Sequence, residues 1–350
     1  MIRPPARPEG YSGVAPVNLT AIRAGGRGIL LQREQIYMRR FLGPVLVGLG
    51  VFLVVGGLLL RFYAYPRLAV APLDQNSVTK LEAKGANIFD TTALKPLTTD
   101  LAVQNKTVGD VKASEDQGDN VRVWVGTTSI RSSDGTVRSR SAERTAFDAT
   151  SAEAVNCCGN FEENTDGQRD PVKRQGLVFK FPFATEKKTY QVWDDTVGKA
   201  TPATFVKETK IDGLTVYEFQ QTIDRVKVGT REVPASLVGQ SGTGNVEGDN
   251  MYAMDKQMFV EPVTGAIIDQ HQHPTSTVAI DGEDKLTVTD AKLAYTKATV
   301  AANVKAFKSK STQLSLVHGL VLLLLMVILG LVAIVLGVLL SRRRPKPAHA

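Results

Sequence analysis

The chain has 350 residues, with 42 Lys and Arg against 35 Asp and Glu, and a formal net charge of +7. This basic balance does not indicate a nucleic-acid-binding protein, because the excess lies at the two ends. Residues 1–60 carry +5 and residues 314–350 carry +4, whereas residues 61–313 carry −2. The central part lacks the clustered positive charge that phosphate backbones attract, so we expect no nucleic-acid partner.

Two uncharged apolar runs, 41–60 and 319–340, flank this central part. Each reaches the ~20 residues that an apolar helix needs to cross a ~30 Å hydrocarbon core. The sequence therefore predicts transmembrane helices over 41–60 and 314–340. A cleaved signal peptide is the main rival for the first run, with small residues at 69–71 as the cleavage site. We disfavour it because the run exceeds the usual 7–15 apolar residues, and because Arg61 and Arg67 intervene.

Basic residues on the outer flank of each run predict the orientation in the cell membrane. Arg39 and Arg40 precede the first run, and basic residues at 342–344 follow the second. By the positive-inside rule, both termini are cytoplasmic and residues 61–313 are extracytoplasmic. Residues 1–40 are rich in Pro, Gly and Arg and are expected to form a disordered tail, with Met38 as a candidate true start. Residues 341–350 are expected to form a basic cytoplasmic tail.

Residues 61–313 show the patterns of a mainly β (α+β) extracytoplasmic domain, built as an antiparallel sheet, a sandwich or a half-barrel. Asp-Gly pairs at 134–135, 212–213 and 281–282 are typical of hairpin turns. Strands are expected at 121–125, 177–183, 214–223 and 286–289, with a strand, turn, strand unit at 259–268. These runs are too polar on both faces to meet lipid, which disfavours a membrane barrel made by this chain alone.

Two helices are expected in the same region. A short one is expected at 74–87, after the first span. A membrane-proximal stalk is expected at 296–312, where Val300, Val304 and Phe307 recur at helical spacing and Thr296 is a suitable N-cap.

Cys157 and Cys158 are the only cysteines, and they are adjacent. Outside the cytoplasm disulfides persist, but a bond between neighbours is strained because consecutive Cα atoms lie only ~3.8 Å apart. A vicinal disulfide, an intermolecular or mixed disulfide, and free thiols all stay open. None of them indicates catalysis, because there is no Cys-x-x-Cys spacing.

No other motif predicts an enzyme, a metal site or a cofactor site. His271 and His273 share one face of a strand, but a zinc site needs a third ligand, so hydrogen-bonded histidines are the preferred interpretation. The run 239–244 matches neither a nucleophile elbow nor a phosphate loop and is read as a flexible loop or a lid. Trp193 beside Asp194 and Asp195 would suit a sugar, but packing in the sheet is the preferred role.

Two apolar groups are candidate lipid contacts, with core packing as the alternative. The first follows one apolar face of 177–183, and the second combines flexible methionines, which suit adaptable surfaces, with two aromatic residues. The candidates are Phe179, Phe181 and Phe183 in the first group, and Met251, Tyr252, Met254, Met258 and Phe259 in the second.

Three motifs carry a resemblance to a known family. They are Tyr-Pro-Arg-Leu at 65–68, Phe-Pro-Phe-Ala-Thr-Glu-Lys-Lys-Thr-Tyr at 181–190 running into Trp193-Asp194, and Glu-Pro-Val-Thr-Gly at 261–265. With residues 38–345 as a whole, they resemble the DUF3068 family of actinobacteria, also labelled the porin PorA family. The resemblance implies a cell-envelope protein. Family relatives such as the polar growth factor PgfA are associated with glycolipid and lipoglycan assembly, and no family catalytic residues carry over.

Together these observations predict a non-enzymatic envelope protein whose domain binds or helps to transport an amphipathic lipid or glycolipid. Its expected partners are membrane lipids or an envelope glycolipid, with a lipid transporter or envelope-assembly proteins as further candidates. The alternative is a scaffold for such machinery with no ligand of its own. The lesser alternatives are an envelope hydrolase or transferase, and a porin.

Overall fold

The computed structural model describes residues 41–163 and 167–342. The expectations for residues 1–40, for most of the basic tail at 341–350 and for His349 lie outside the described residues. Among these residues the long helices are α1 (Phe41–Leu68), α3 (Lys297–His318) and α4 (Leu320–Arg342). A short helix, α2 (Val111–Glu115), lies between α1 and α3 in the chain. Arg61–Gly319 form one compact unit, and the described residues of Met1–Leu60 and Leu320–Ala350 form another.

Two helical stretches, Phe41–Leu68 and Lys297–Arg342, are long and apolar enough to cross a membrane. Within the unit formed by the described residues of Met1–Leu60 and Leu320–Ala350, they pack antiparallel through glycines. A Cβ atom on Gly50 would lie 2.4 Å from the Gly330 carbonyl oxygen, and one on Gly43 would lie 2.9 Å from the Gly337 carbonyl oxygen. Small residues allow such close backbone approach between membrane helices. The two glycines on each helix are seven residues apart, so one narrow stripe carries the contact.

A 14-stranded antiparallel sheet makes up most of the unit Arg61–Gly319, which confirms the predicted mainly β class. The strand path runs β7-β6-β4-β3-β2-β1-β13-β12-β11-β10-β9-β8; β5 pairs with β4, and β14 pairs with β1 and β12. The strands are β1 (Asn76–Asp90), β2 (Lys95–Gly109), β3 (Val121–Ser132), β4 (Val137–Asp148), β5 (Ala154–Val155), β6 (Phe161–Glu163), β7 (Arg169–Pro171), β8 (Tyr190–Asp194), β9 (Lys199–Ile211), β10 (Leu214–Pro234), β11 (Asn245–Glu261), β12 (Ala266–Ile280), β13 (Glu283–Asp290) and β14 (Leu293–Tyr295).

Hairpin turns fall at the three predicted Asp-Gly pairs. In the turn between β9 and β10, Asp212 and Gly213 have φ values of 47° and 78°. Positive φ at both central residues defines the turn whose twist suits a two-residue hairpin. The pair between β12 and β13 is equivalent, with φ values of 50° at Asp281 and 82° at Gly282. The pair between β3 and β4 lies in a longer connection, where Gly135 has a φ of 83° and Asp134 is not among the residues with positive φ.

Segment 176–178 joins the two ends of the strand path. Leu177 bridges Val192 of β8 on one side and Glu153, next to β5, on the other. The Leu177 amide donates to the Gln191 carbonyl at 2.8 Å, and the Val178 amide donates to the Ala152 carbonyl at 3.1 Å. Because β5 is paired with β4, the sheet closes on itself and has an inner and an outer face.

Side chains alternate between these two faces along each strand. In β1, Leu81 and Ala83 are buried inside, whereas Lys80 and Glu82 are exposed outside. The outer face of β1 is therefore mainly polar, as the sequence pattern predicts.

Two local predictions are wrong. Residues 76–87 belong to strand β1, not to a helix, because their buried positions alternate with period two against the inner face. Segment 177–183 forms isolated bridges and bends instead of a strand. Phe179 in its middle has a φ of 58°, which breaks the extended backbone.

Helix α3 begins where the Thr296 side chain accepts a hydrogen bond from the Thr299 amide. Its apolar stripe packs on the sheet: Val300, Val304 and Phe307 lie against a cluster that includes Val216 and Ile268. The helical spacing seen in the sequence thus marks the face by which α3 contacts the sheet.

Candidate functional site

The closed sheet surrounds a cavity of about 820 Å³, which lies wholly within the unit Arg61–Gly319. Its walls come from β1–β4, β8, β11, β12, β14, helix α3 and segment 177–183. A concave pocket of this size, lined by apolar groups with a few polar ones, is where a ligand or solute is most readily held.

One wall is polar and follows the strand register. Ser77 faces Thr107 and Thr79 faces Asn105 across the pairing of β1 with β2, and Thr128 continues the wall on β3. The Asn105 Oδ1 atom is buried and accepts no hydrogen bond from a described residue. This wall therefore offers hydroxyl and amide groups to whatever occupies the cavity.

A second wall is aromatic and comes from segment 177–183. The ring of Phe179 lies 5.5 Å from Trp124, which also lines the cavity. The Phe181 amide donates to the Gly265 carbonyl at 2.8 Å, so the motif at 181–190 rests on the motif at 261–265. A Cβ atom on Gly265 would lie 2.1 Å from the Phe181 carbonyl oxygen. Glycine is needed there because the two backbones touch.

A buried arginine gathers three carboxylates beside the cavity. Arg174 has no exposed side-chain surface, and its Nη2 atom lies 2.9 Å from Glu162, 3.2 Å from Asp195 and 3.3 Å from Glu143. Asp195 also accepts from the Trp193 indole at 2.7 Å. Glu143 is on β4, Glu162 is on β6, and Asp195 follows β8, so the cluster ties together the two ends of the strand path.

One guanidinium does not fully neutralise three carboxylates. Removal from bulk water, followed by the nearby Asp195 charge, raises the pKa of Glu143 to about 8. Burial, followed by a hydrogen bond with Asp195, raises the pKa of Glu162 to about 7. Like charges held close together share protons in this way. Glu143 and Asp195 both line the cavity, so its electrostatic character changes near neutral pH.

Four lysines line the same cavity, and none forms an ion pair with a described carboxylate. Lys106 and Lys310 are exposed, whereas Lys180 and Lys256 are partly buried. Burial lowers the pKa of Lys180 to about 7, and it also lowers the pKa of Lys256. The Lys180 Nζ atom is buried, has no hydrogen-bond partner among the described residues and lies 3.9 Å from the Phe183 ring centroid. On β11, Lys256 points inward between Met254 and Met258.

The candidate lipid contacts do not form one surface. Phe179, Phe181, Phe183 and Met258 line the cavity. Tyr252 and Met254 belong to a separate cluster with Ile223. Met251 and Phe259 point to the other face of β11, where Phe259 packs against the α3 cluster.

The other singled-out residues lie apart from the cavity, except Trp193, Asp195 and Phe307. His271 is 3.4 Å from Asp269, and His273 is 2.6 Å from Asp290. No group of metal-binding side chains occurs among the residues that the structure describes. The loop at 239–244 is exposed and lines no part of the cavity.

The two cysteine sulfurs, Cys157 Sγ and Cys158 Sγ, are bonded to each other in the structure.

Sequence reasoning missed the charged residues of the site: Glu143, Glu162, Arg174, Lys180 and Lys256. One signal was present for the lysines. Lys256 occupies an inward position in the alternation of β11, and Lys180 stands between Phe179 and Phe181 in an apolar run. Arg174 and its partners are brought together only by the closure of the sheet, which no local pattern predicts.

Comparison with known proteins gives one consistent result. The model of the Porin PorA family matches residues 42–339. A protein named Porin PorA from Corynebacterium amycolatum is 25% identical over 296 residues, covering 66% of this chain and 76% of the relative. A second, also named Porin PorA, from Corynebacterium resistens is 25% identical over 230 residues, covering 55% of each chain.

These matches confirm the resemblance seen in the sequence and correct the function predicted from it. The prediction of lipid or glycolipid binding and transport is wrong, because the matching family and both relatives are porins by name. The lesser alternative of a porin fits the comparisons better. The sequence argument failed because it took strands that are polar on both faces as evidence against a porin.

Proposed function

Because the chain belongs to the PorA porin family, we propose that it is a non-enzymatic pore-forming protein of the cell envelope that lets small polar solutes pass. The family match over 42–339, which includes both apolar helices and the whole sheet, is the observation that carries this proposal. The identity of the relatives is low, so the solute is argued from this chain's own cavity.

The closed sheet supports the proposal because it separates an interior from its surroundings. Hydrogen bonds at 176–178 complete the ring, and the interior holds a cavity of about 820 Å³. Thr79, Asn105 and Thr128 line one wall with groups that replace the hydration of a polar solute. Exchanging water for hydroxyl and amide contacts keeps the cost of solute entry low.

The outer face of the sheet is polar, so the apolar helices α1 and α4, and not the sheet, contact the hydrocarbon. In the proposed pore the sheet interior is the aqueous part of the solute path. The glycine contacts, such as Gly50 with Gly330, keep the two helices together as one anchor.

The orientation follows from the charges at the helix ends. Arg39 and Arg40 precede α1, and basic residues at 342–344 end α4. Positive residues remain on the cytoplasmic side, so both termini are cytoplasmic and the sheet is extracytoplasmic.

A liposome swelling assay tests this function. Full-length protein is reconstituted into vesicles, which are then diluted into isotonic sugars of increasing size. Vesicles with the protein swell in the smallest sugars and stop swelling as sugar size rises, whereas protein-free vesicles do not swell. Equal behaviour of the two kinds of vesicle contradicts the proposal.

A further inference from the structure

We propose that the cavity holds a specific site for a small organic anion, with the Lys180 ammonium as the group that binds the anion and the neighbouring aromatic rings as the seat for its carbon body. This inference names the solute class of the proposed pore and, as a statement about transport, rests on that proposal. The binding itself is tested separately below.

Residues of both positive and negative charge line the cavity, but only the positive ones lack an ion-pair partner among the described residues. Glu143 and Asp195, the two lining carboxylates, already share Arg174. Lys180 and Lys256 form no ion pair with any carboxylate of the described residues. An entering anion therefore meets amines without partners, and an entering cation meets acids that already have one.

Two carboxylates act electrostatically on Lys180, those of Asp148 and Glu261, and both already accept hydrogen bonds within turns. Asp148 accepts from the backbone amides of Thr150 and Ser151. Glu261 accepts from the amides of Val263 and Thr264. Both carboxylates stabilise the ammonium at a distance, but neither forms a hydrogen bond with it.

A buried polar group without a partner is unfavourable, and supplying the partner recovers a charge-assisted hydrogen bond. The Lys180 Nζ atom is in this state, and its residue lines the cavity. Lys256 is a weaker candidate for binding an anion, because the negative charges of Asp194 and Asp195 already act on its amine.

The surroundings of Lys180 select an anion with an apolar part. Phe183 lies beneath the amine at 3.9 Å, and Phe179 and Trp124 form a tilted pair with centroids 5.5 Å apart. Such faces accept flat or aliphatic carbon groups. The cavity volume of about 820 Å³ admits molecules of the size of benzoate with water beside them.

Binding of an anion favours the protonated amine, so it takes up protons near neutral pH. Burial lowers the pKa of Lys180 to about 7, and a bound carboxylate raises it again. Affinity therefore falls as pH increases above about 7. A neutral analogue has no such dependence.

Isothermal titration calorimetry of full-length protein in detergent micelles tests the site, with sodium benzoate as the probe and benzyl alcohol as its neutral match. We expect benzoate to bind the wild type with proton uptake at pH 7.5, measured in two buffers of different ionisation enthalpy. Lys180→Met weakens benzoate binding by roughly tenfold or more, and Lys180→Arg restores most of it. Lys84→Met removes an exposed lysine that pairs with Asp100 and leaves binding unchanged.

Benzoate binding that Lys180→Met does not alter overturns the proposal, and so does equal binding of benzyl alcohol. Vesicle swelling, run on the same proteins with the neutral sugars, separates this failure from a failure of the pore. If Lys180→Met vesicles swell normally but benzoate never binds, the pore stands and the anion site is refuted. If benzoate binds but no vesicle swells, the site stands and the pore is refuted.

Discussion

Arg174 provides the sharpest stability prediction. Replacing it with Met leaves Glu143, Glu162 and Asp195 close together without their common cation. Removing one partner of a buried ion pair costs about 3–5 kcal/mol, and the Arg174 side chain is fully buried. For a unit of the size of Arg61–Gly319, each kcal/mol shifts the melting temperature by roughly 2–4 °C. We therefore expect Arg174→Met to lower it by roughly 6–20 °C.

The loss depends on pH in a direction that the carboxyl groups set. The pKa of Glu143 is raised to about 8 and that of Glu162 to about 7. Below pH 6 both are largely protonated, so the variant keeps little uncompensated charge. We expect the difference in melting temperature from the wild type to be larger at pH 8.5 than at pH 5.5.

Differential scanning fluorimetry of the full-length protein in detergent measures this difference. Arg169→Met is the matched control, because Arg169 is exposed and its ion pair among the described residues is with Glu163, across the short strands β6 and β7. Exposed ion pairs contribute about 0–1 kcal/mol. If Arg174→Met melts within about 2 °C of Arg169→Met at pH 8.5, the cluster does not hold the closed sheet together.

Three further predictions concern the same architecture. Gly50→Leu is expected to separate the two helices and lower the yield of folded protein on size exclusion, whereas Gly48→Leu, which meets no neighbour within 4 Å, is tolerated. A carboxyl whose pKa is raised on folding stabilises the fold at low pH and loses that contribution as pH rises. Because the pKa of Glu143 is raised from 4.5 to about 8, we expect the melting temperature of the wild type to fall between about pH 4.5 and 8. Glu143→Gln is expected to make this fall smaller. Gly265→Ala places a Cβ 2.1 Å from a carbonyl oxygen and should cost several kcal/mol in denaturant unfolding, against about 1 kcal/mol for the unobstructed Gly135→Ala.

The mainly β class could be predicted from the sequence because turn residues and strand alternation depend on neighbouring residues in the chain. The Asp-Gly pairs at 212–213 and 281–282 adopt the positive φ that a two-residue hairpin turn requires. Alternating burial along a strand follows from the direction of successive side chains. The spans followed from composition alone. The short helix predicted at 74–87 is wrong, because Leu81, Ala83 and Ala86 lie in β1, where their side chains fill the inner face.

The candidate site was predicted only in part. Phe179, Phe181 and Phe183 were singled out, and they line the cavity. Their partners were not predicted, because the closing bridge at Leu177 joins residues of β5 and β8 that are far apart in sequence. Ion clusters formed across such a closure depend on tertiary contacts, which charge patterning along the chain does not encode.

Blocking the cavity tests the central claim, passage through the sheet interior, most directly. The two natural cysteines are bonded to each other, so one engineered cysteine provides a single reactive thiol. Thr79→Cys lines the cavity, and Val78→Cys lies on the exposed outer face of the same strand. Currents are recorded across planar bilayers before and after a charged methanethiosulfonate reagent is added. The account predicts discrete currents that the reagent reduces for Thr79→Cys and leaves unchanged for Val78→Cys. The absence of current, or an equal response of the two variants, contradicts it.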